Sequence, residues 1–195
     1  MNVSHLEPPA EPDDDALLVA RVGEGDIAAY RALVGRYAAK LSRFAERLLR
    51  DRAEAEDVVQ ETFMRLWQHA RDYSPKARVT TWLHRITHNL AVDRLRARGR
   101  TRQLVDEDEM PESARQATLI DEKRRVLALD QALAGLPERQ ATAIVLVHLH
   151  GLSGAEAAEV LGVGAEAVES LLARGRRALK DALAERDVKP KAGAS

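Results

Sequence analysis

The stretch GLSGAEAAEVLGVGAEAVESLLARGRRAL, residues 151–179, contains two helical patterns separated by a glycine turn. Ser153 followed by Glu156 is the signature of a capping box, which starts the first helix. That helix is predicted to end at Gly162, and a second helix starts shortly after it. Ala157 and Ala158 are small enough to let two helices cross closely. Two short helices joined by a tight turn with glycine are typical of a helix-turn-helix, which we predict here.

The charges of the second helix leave its role open. Arg174, Arg176 and Arg177 near its C-terminal end suit a helix that contacts DNA phosphates. Glu166 and Glu169 lie near its start, where phosphates would repel them. Acidic side chains at a helix start also interact favourably with the helix dipole. The pattern is therefore compatible with a DNA-reading helix and with a charged surface helix.

Upstream of this motif, the segment VLALDQAL and the apolar run before Gly151 read as further helices of the same domain. Pro137 suits the first turn of the second of them. We predict a domain over residues 123–186, followed by a tail over 187–195. Residues 100–122 include the acidic stretch DEDEMPES and lack apolar periodicity, so they read as an acidic flexible linker after a helix stop at Gly99.

The N-terminal half reads as a second compact domain over residues 13–99, built from four helices. Asp26 is a good N-cap for a helix over about 27–50. A helix over about 53–70 has an apolar stripe that includes Phe63, Leu66 and Trp67, and another helix covers about 79–98. Residues 1–12 are rich in proline with little to bury, so we predict a disordered tail. The short connections favour a helical bundle.

Composition supports an all-α fold of two small helical domains. Alanine, leucine, arginine and glutamate dominate, and aromatic residues make up only 4% of the chain. There is no cysteine, which excludes disulfides and thiolate metal sites. No apolar run is long enough to cross a membrane and the N-terminus lacks a signal pattern, so we expect no membrane insertion and a cytoplasmic location.

No motif for catalysis or for a cofactor stands out. His84 and His88 have the spacing of a zinc-protease helix, but Arg85 occupies the place of the required glutamate. His148 and His150 are two residues apart and diverge on a helix. We therefore predict no metal site, no cofactor and no enzymatic activity.

Charge is segregated along the N-terminal domain. On the helix over 53–70, four polar positions group opposite the apolar stripe: Glu54, Asp57, Gln60 and Glu61. This face is either a solvated surface or a docking site for a basic partner. The next helix reverses the sign, with seven arginines between residues 78 and 102, a density that can track phosphates: Arg78, Arg85, Arg94, Arg96, Arg98, Arg100 and Arg102.

The start of that arginine-rich helix adds hydroxyl and aromatic groups. Thr80, Thr81 and Trp82 follow the loop RDYSPKAR. Such groups suit single-stranded bases, which are held by stacking and hydrogen bonds. Trp82 taken on its own fits a place in the hydrophobic core better than a nucleic-acid contact.

Four motifs in order resemble the bacterial extracytoplasmic function (ECF) sigma factors, over roughly residues 14–185: AEAEDVVQETFMRLW, TTWLHRITHNLAVDRLR, LPERQATAIVLVHLHGLSGAEAAEVLGV and AVESLLARGRRAL. The resemblance implies that the two domains are sigma domains 2 and 4, without a domain 3. It implies as partners core RNA polymerase, through its β′ clamp helices and β flap, promoter DNA, and an anti-sigma factor.

The resemblance also implies a role for each charged constellation. Polymerase binding falls to Glu54, Asp57, Gln60 and Glu61. Binding and opening of the promoter −10 element falls to the loop 73–79 and the helix after it: Tyr73, Arg78, Thr80, Thr81, Trp82, Arg85 and Arg96. Recognition of the −35 element falls to the helix-turn-helix: Ser153, Glu166, Glu169, Ser170, Arg174, Arg176 and Arg177.

The chain departs from the family at two positions of the recognition helix. The family usually carries Lys or Arg near Glu169 and often Arg at Leu171. Glutamate can accept a hydrogen bond from cytosine N4, so Glu169 is compatible with base reading. Glu166 fits the dipole explanation better. The base contacts of this helix stay open at this stage.

One rival class is a helix-turn-helix activator that binds operators without polymerase. It would need a receiver with buried strands or a ligand pocket in the N-terminal half. Residues 14–98 show helical periodicity throughout, which counts against it. A purely protein-binding helical adaptor is a further alternative, in which the arginines are merely solvated.

Overall fold

The computed structural model describes residues 14–74, 77–102 and 128–187, and every element in those ranges is helical. The α-helices are α1 (Asp14–Gly23), α2 (Ile27–Leu49), α3 (Arg52–His69), α4 (Val79–Arg102), α5 (residues 128–134), α6 (Glu138–Ile144), α7 (Gly154–Leu161) and α8 (Ala165–Asp187). A 3₁₀ turn at Ala70–Asp72 follows α3, and a π-helical segment at Val145–Leu149 follows α6. The predicted all-α class is confirmed.

Helices α1–α4 form the N-terminal domain, and their boundaries follow local capping signals. Asp26 caps α2 by accepting hydrogen bonds from the amides of Ala28 and Ala29, at 2.8 and 3.0 Å. Asp51 caps α3 by accepting from the amide of Glu54 at 3.0 Å. The core is continuous through all four helices, and its fully buried members include Leu33, Leu41, Leu49, Val58, Leu66 and Leu83.

Helices α5–α8 form the C-terminal domain around a second core. The helix-turn-helix is confirmed as α7, a turn at Gly162 and α8, and Gly162 takes the left-handed conformation with φ 63°. Val168 and Leu172 of α8 are buried in this core. A Cβ at Gly175 would lie 2.7 Å from Cδ1 of Ile144, so glycine allows α8 to cross α6 closely.

The predicted capping box at the start of α7 is confirmed. The Ser153 hydroxyl accepts from the Glu156 amide at 3.2 Å, and the Glu156 carboxylate accepts from the Ser153 amide at 2.8 Å. We expect Ser153→Ala to lower the free energy of unfolding by about 1 kcal/mol, because one amide at the helix start loses its acceptor. Urea denaturation measures this change. Ser170→Ala on the exposed surface of α8 is the control, and an equal loss there would contradict the capping role.

The two domains pack against each other through α2, α4 and α7. Phe44 of α2 is fully buried, and its neighbours are the core residues of the C-terminal domain. Arg47 of α2 donates to Asp130 of α5 at 2.9 Å, and Arg50 donates to the Ala134 carbonyl. This contact between domains was not predicted from the sequence.

Several boundaries differ from the sequence-based expectation. Helix α4 does not stop at Gly99 but runs to Arg102, so it enters the predicted linker. Pro137 precedes α6 as its N-cap instead of lying in its first turn. Trp67, placed on the apolar stripe of α3, is 41% exposed. The predicted tail over 1–12 and the remainder of the predicted linker and C-terminal tail lie outside the described residues.

Candidate polymerase-binding and nucleic-acid-binding surfaces

The polar face of α3 presents an exposed stripe at the surface of the N-terminal domain. Asp57 and Gln60 are exposed and Glu61 is half-buried. The Asp57 carboxylate lies 3.7 Å from Arg94, and Glu61 accepts from Arg65 at 3.0 Å. Both carboxylates thus remain at the surface, where ion pairs contribute little to stability and can be exchanged for a partner's charges.

Glu54 is turned towards α4 instead. Its Oε1 accepts from Nε of Arg98 at 2.9 Å, while its Oε2 is buried without a hydrogen-bond partner among the described residues. Arg98 also donates to the Leu49 carbonyl at 3.0 Å and to Asp51 at 3.2 Å. This arginine therefore joins α4 to the start of α3. Among the predicted docking residues, Glu54 is the one that forms an ion pair with α4.

An apolar cleft continues the α3 stripe towards the C-terminal end of the helix. It encloses about 400 Å³ and is lined by Ile27, Tyr30, Met64, Trp67 and Gln68. The Trp67 ring meets Tyr30 edge to face at 5.3 Å, which fixes its orientation. Ile27, Met64 and Trp67 are 58%, 47% and 41% exposed, so the cleft is an accessible apolar surface. The sequence pattern had assigned Trp67 to the core and missed this cleft.

Aromatic groups shape the start of α4. The Tyr73 and Trp82 rings lie 5.0 Å apart, and the Tyr73 hydroxyl donates to the Ala77 carbonyl at 2.6 Å. Trp82 is half-buried: part of its side chain packs against the N-terminal core, and part of it is exposed at the surface. Thr80 lies 3.0 Å from the Tyr37 hydroxyl, which ties the start of α4 to α2. Tyr73 and the start of α4 are thus held in a defined arrangement.

Thr81 and Arg78 face the C-terminal domain. Thr81 is 1% exposed, and its hydroxyl donates to Oε1 of Glu156 at 3.0 Å. Arg78 lies 3.8 Å from the same carboxylate oxygen. Glu156 therefore caps α7 with one oxygen and binds α4 with the other. Of these two predicted DNA-binding residues, Thr81 is covered by the helix-turn-helix, whereas Arg78 stays exposed beside it.

The remaining predicted side chains of α4 are at the surface. Arg85 and Arg96 are exposed, and Arg96 lies 3.6 Å from Asp93 on the same helix. Arg94 and Arg98 instead face α3, as described above. The arginine density of α4 is thus divided between an exposed face and a face that binds the neighbouring helix.

Helix α8 presents its predicted residues to solvent. The exposed residues are Glu166, Glu169, Ser170, Arg174, Arg176 and Arg177, and Ser153 is exposed at the start of α7. Leu171 is half-buried and packs against the C-terminal core. The position where the family often has arginine is therefore partly a packing position here, whereas Glu169 is free to face a base edge.

The domain junction contains a histidine pair that the sequence did not reveal. Nε2 of His84 lies 3.2 Å from Nδ1 of His150, and the two rings are 4.9 Å apart. Burial lowers the pKa of His84, and burial together with nearby positive charges lowers the pKa of His150 to about 4. Both imidazoles are therefore neutral near pH 7. Their separation of 66 residues hides the contact from any local pattern.

Comparison with known protein families identifies both domains. Residues 33–101 match the family model for sigma-70 region 2, and residues 127–179 match the model for sigma-70 region 4. The chain is 36% identical over 184 residues to the ECF RNA polymerase sigma factor SigE of Mycolicibacterium smegmatis, covering 92% of this chain and 71% of that protein. It is 29% identical over 181 residues to the ECF factor SigW of Bacillus subtilis, covering 85% and 94%.

Solved structures show the same likeness over both domains. CnrH, in complex with the cytosolic domain of CnrY, is 30% identical with a TM-score of 0.67, covering 89% of this chain and 99% of that one. The sigma factor RpoE of Bartonella quintana, in complex with the anti-sigma factor NepR, is 25% identical with a TM-score of 0.69, covering 84% and 100%. The chain therefore belongs to the ECF RNA polymerase sigma factors of the sigma-70 family.

Proposed function

We propose that this sigma factor docks on the β′ clamp helices of core RNA polymerase through Asp57, Gln60 and Glu61. The observation that carries the proposal is the exposed stripe of α3, where these side chains stand beside an accessible apolar cleft. Exposed carboxylates steer a basic partner into contact, and apolar burial then holds it. Glu54 supports the stripe from behind through Arg98 and does not contact the partner directly.

The N-terminal domain also handles the −10 element in this proposal. Tyr73 and Trp82 provide an aromatic pair beside the loop, and aromatic rings can hold unstacked bases. Thr80, Thr81 and Arg78 would supply donors to bases and phosphates, with Arg85 and Arg96 along the exposed face of α4. Because Thr81 is covered by Glu156 in this arrangement, the C-terminal domain must move before the whole surface can meet DNA.

The C-terminal domain reads the −35 element with α8 and contacts the β flap. Arg174, Arg176 and Arg177 are exposed and supply phosphate contacts. Glu169 and Ser170 are exposed on the preceding turn and face base edges, where Glu169 accepts from cytosine N4. Linking two weakly binding domains on one polymerase raises the effective concentration of the second, so specific promoter binding needs the holoenzyme.

The phosphate role of the arginines has a quantitative signature. Affinity falls as salt rises, with a slope of about −0.9 in log affinity against log salt for each phosphate contact. We therefore expect the Arg176→Ala, Arg177→Ala double variant to make this slope shallower by about 1.8. The measurement is promoter binding by the holoenzyme over a salt series. Arg31→Ala on the exposed surface of α2 is the control and should leave the slope unchanged. An unaltered slope in the double variant would assign these arginines another role.

Run-off transcription tests the function as a whole. Purified core polymerase is supplied with this chain and with fragmented genomic DNA from the same organism. We expect new start sites that share two elements at a constant spacing. Core polymerase that stays silent, while the chain alone shifts particular fragments, would favour the activator. The fold does not favour the activator, since residues 14–74 and 77–102 contain no strand from which a receiver could be built.

Control by an anti-sigma factor is part of the proposal. The structurally similar sigma factor RpoE was solved in complex with the anti-sigma factor NepR, and the similar CnrH was solved in complex with the cytosolic domain of CnrY. The chain would then act in the cytoplasm beside polymerase, as a binding protein that leaves the chemistry to the polymerase. Among the described helices, none is both long and apolar enough to cross a membrane.

A further inference from the structure

The histidine pair at the domain junction has one consistent arrangement of protons. Nδ1 of His84 lies 2.8 Å from the Thr80 carbonyl, which can only accept, so this nitrogen carries the hydrogen. Nε2 of a neutral His84 is then an acceptor, and Nδ1 of His150 donates to it. Nε2 of His150 is buried without a hydrogen-bond partner in the described part of the chain. The hydrogen bond therefore requires a neutral His84, and a proton added to Nε2 of His150 would find no acceptor among the described residues.

The surroundings of the pair oppose a positive charge. Helix α2 contributes Lys40, Arg43 and Arg47, whose charges act on His150, and Lys40 also acts on His84. Glu156 of α7 is the acidic group that favours a charge on His84. The Phe44 ring adds apolar surface, with its centroid 5.2 Å from His84 and 5.5 Å from His150.

A further, half-buried histidine lies one turn further along α4. Burial lowers the pKa of His88, which faces Glu138 and Arg139 of α6 and also senses Arg96 of its own helix. It is a further group that can add to a pH response of the junction.

Protonation of either member of the pair destabilises the closed junction. A proton on Nε2 of His84 turns the acceptor into a donor, so that two N–H groups face each other. A proton on Nε2 of His150 places a charge in a buried position near three basic side chains. Separation of the domains relieves both situations, because water then solvates the imidazolium.

We propose that the His84–His150 contact is an acid-sensitive latch that holds the helix-turn-helix over the start of α4, and that protonation releases it, uncovers Thr81 and separates Arg78 from Glu156. The covering itself is visible in the Thr81–Glu156 hydrogen bond and the Arg78–Glu156 approach at the same junction. The consequence for the −10 element rests on the proposed function. The latch itself does not, since it is a property of the free chain.

The sign of the pH effect follows from proton linkage. The closed state lowers the pKa of His150 from its ordinary 6.5 to about 4. The open state therefore binds more protons between these values, so the contribution of His150 to closure is fully present above pH 6.5 and is lost progressively as the pH falls. Between about pH 7.5 and about pH 5.5 the ratio of closed to open chains should fall about tenfold from His150 alone.

Distance measurement between the domains tests the latch. The chain has no cysteine, so Glu24→Cys in the N-terminal domain and Asp181→Cys on α8 provide two unique, exposed labelling sites. Fluorescence energy transfer in the full-length chain reports the closed fraction at the two pH values. His150→Arg introduces a permanent charge, His150→Phe keeps an aromatic ring without titration, and exposed His148→Arg is the matched control. Far-ultraviolet circular dichroism checks that each variant is folded.

On acidification we expect the ratio of closed to open chains to fall about tenfold in the wild type and in His148→Arg, as linkage requires. His150→Arg should be open at both pH values, and His150→Phe should lose most of the pH response. A ratio of closed to open chains that does not change with pH in the wild type would overturn the latch. So would a His150→Phe variant that still responds fully, or a His150→Arg variant that stays as closed as its control.

Transcription separates this inference from the proposed function. If the labelled chain opens as expected but supports no promoter-specific run-off transcripts at any pH, the latch stands and the assigned polymerase and −10 roles fail. If transcripts appear while the closed fraction ignores both pH and His150, the sigma role stands and the latch fails.

Discussion

Phe44→Ala lowers the free energy of unfolding by about 3–5 kcal/mol in our expectation, because a fully buried ring leaves a cavity behind. The loss of stability should fall on the domain to which Phe44 does not belong. Phe44 belongs to α2, but the residues around it are the core of the C-terminal domain, including Leu133 and Leu146. The substitution should therefore destabilise the C-terminal domain and loosen its contact with the N-terminal domain.

Hydrogen exchange locates the effect. Amides of α7 at residues 157–160 should exchange faster in Phe44→Ala than in the wild type, and urea denaturation gives the overall loss. Phe63→Ala is the matched control, since Phe63 is 5% exposed in the N-terminal core and makes an equivalent apolar contribution there. It should lower the stability of the N-terminal domain and leave those amides protected. Faster exchange confined to α1–α4 in Phe44→Ala would show that the ring serves its own domain only.

The parts of the fold that could be predicted are those set by neighbouring residues. Asp26, Asp51 and Ser153 accept hydrogen bonds from amides at most three residues ahead, so their signals are complete within a short window. The turn at Gly162 likewise follows from the conformational freedom of one residue. The helix-turn-helix was predictable for this reason.

The contact between the domains could not be predicted, because each residue that forms it also fits a local role in its own helix. Phe44 fits the apolar period of α2, and periodicity says that a side chain is buried without saying in which core. Glu156 satisfies the capping box with one oxygen, and the second oxygen's contact with Thr81 spans 75 residues. The local sequence pairs His84 with His88 and His150 with His148, whereas the contact in the structure joins His84 to His150.

The site was predictable in its residue types but not in their orientation. A helical wheel places Glu54 beside Asp57 and Glu61, since all three share the polar face. The structure separates them, because Arg98 draws Glu54 towards α4 while the other two stay at the surface. Similarly, Gly99 is an ordinary stop signal that packing of α4 overrides, and Trp67 is an apolar residue that lines an open cleft.

Reversal of the acidic stripe should have the largest effect on function. The Asp57→Arg, Glu61→Arg double variant is expected to weaken binding to core polymerase about a hundredfold or more, because each close charge pair across an interface contributes about 1.5 kcal/mol or more and tenfold corresponds to about 1.4 kcal/mol. Fluorescence anisotropy of a labelled chain titrated with core polymerase measures the dissociation constant. Stability should change little, since both carboxylates make only surface ion pairs.

The control for this reversal lies on the same helix. Glu56 pairs with Arg52 four residues earlier, just as Glu61 pairs with Arg65 four residues later, so Glu56→Arg loses an equivalent surface pair and makes the same change in charge. It lies about 100° around the helix from Asp57 and about 140° from Glu61, the two residues that the double variant reverses, although it borders Gln60. If Glu56→Arg weakens binding as much as Glu61→Arg, net charge alone governs the association. If only the stripe variants lose affinity, and lose less of it as salt rises, the partner is basic and meets α3 at Asp57 and Glu61.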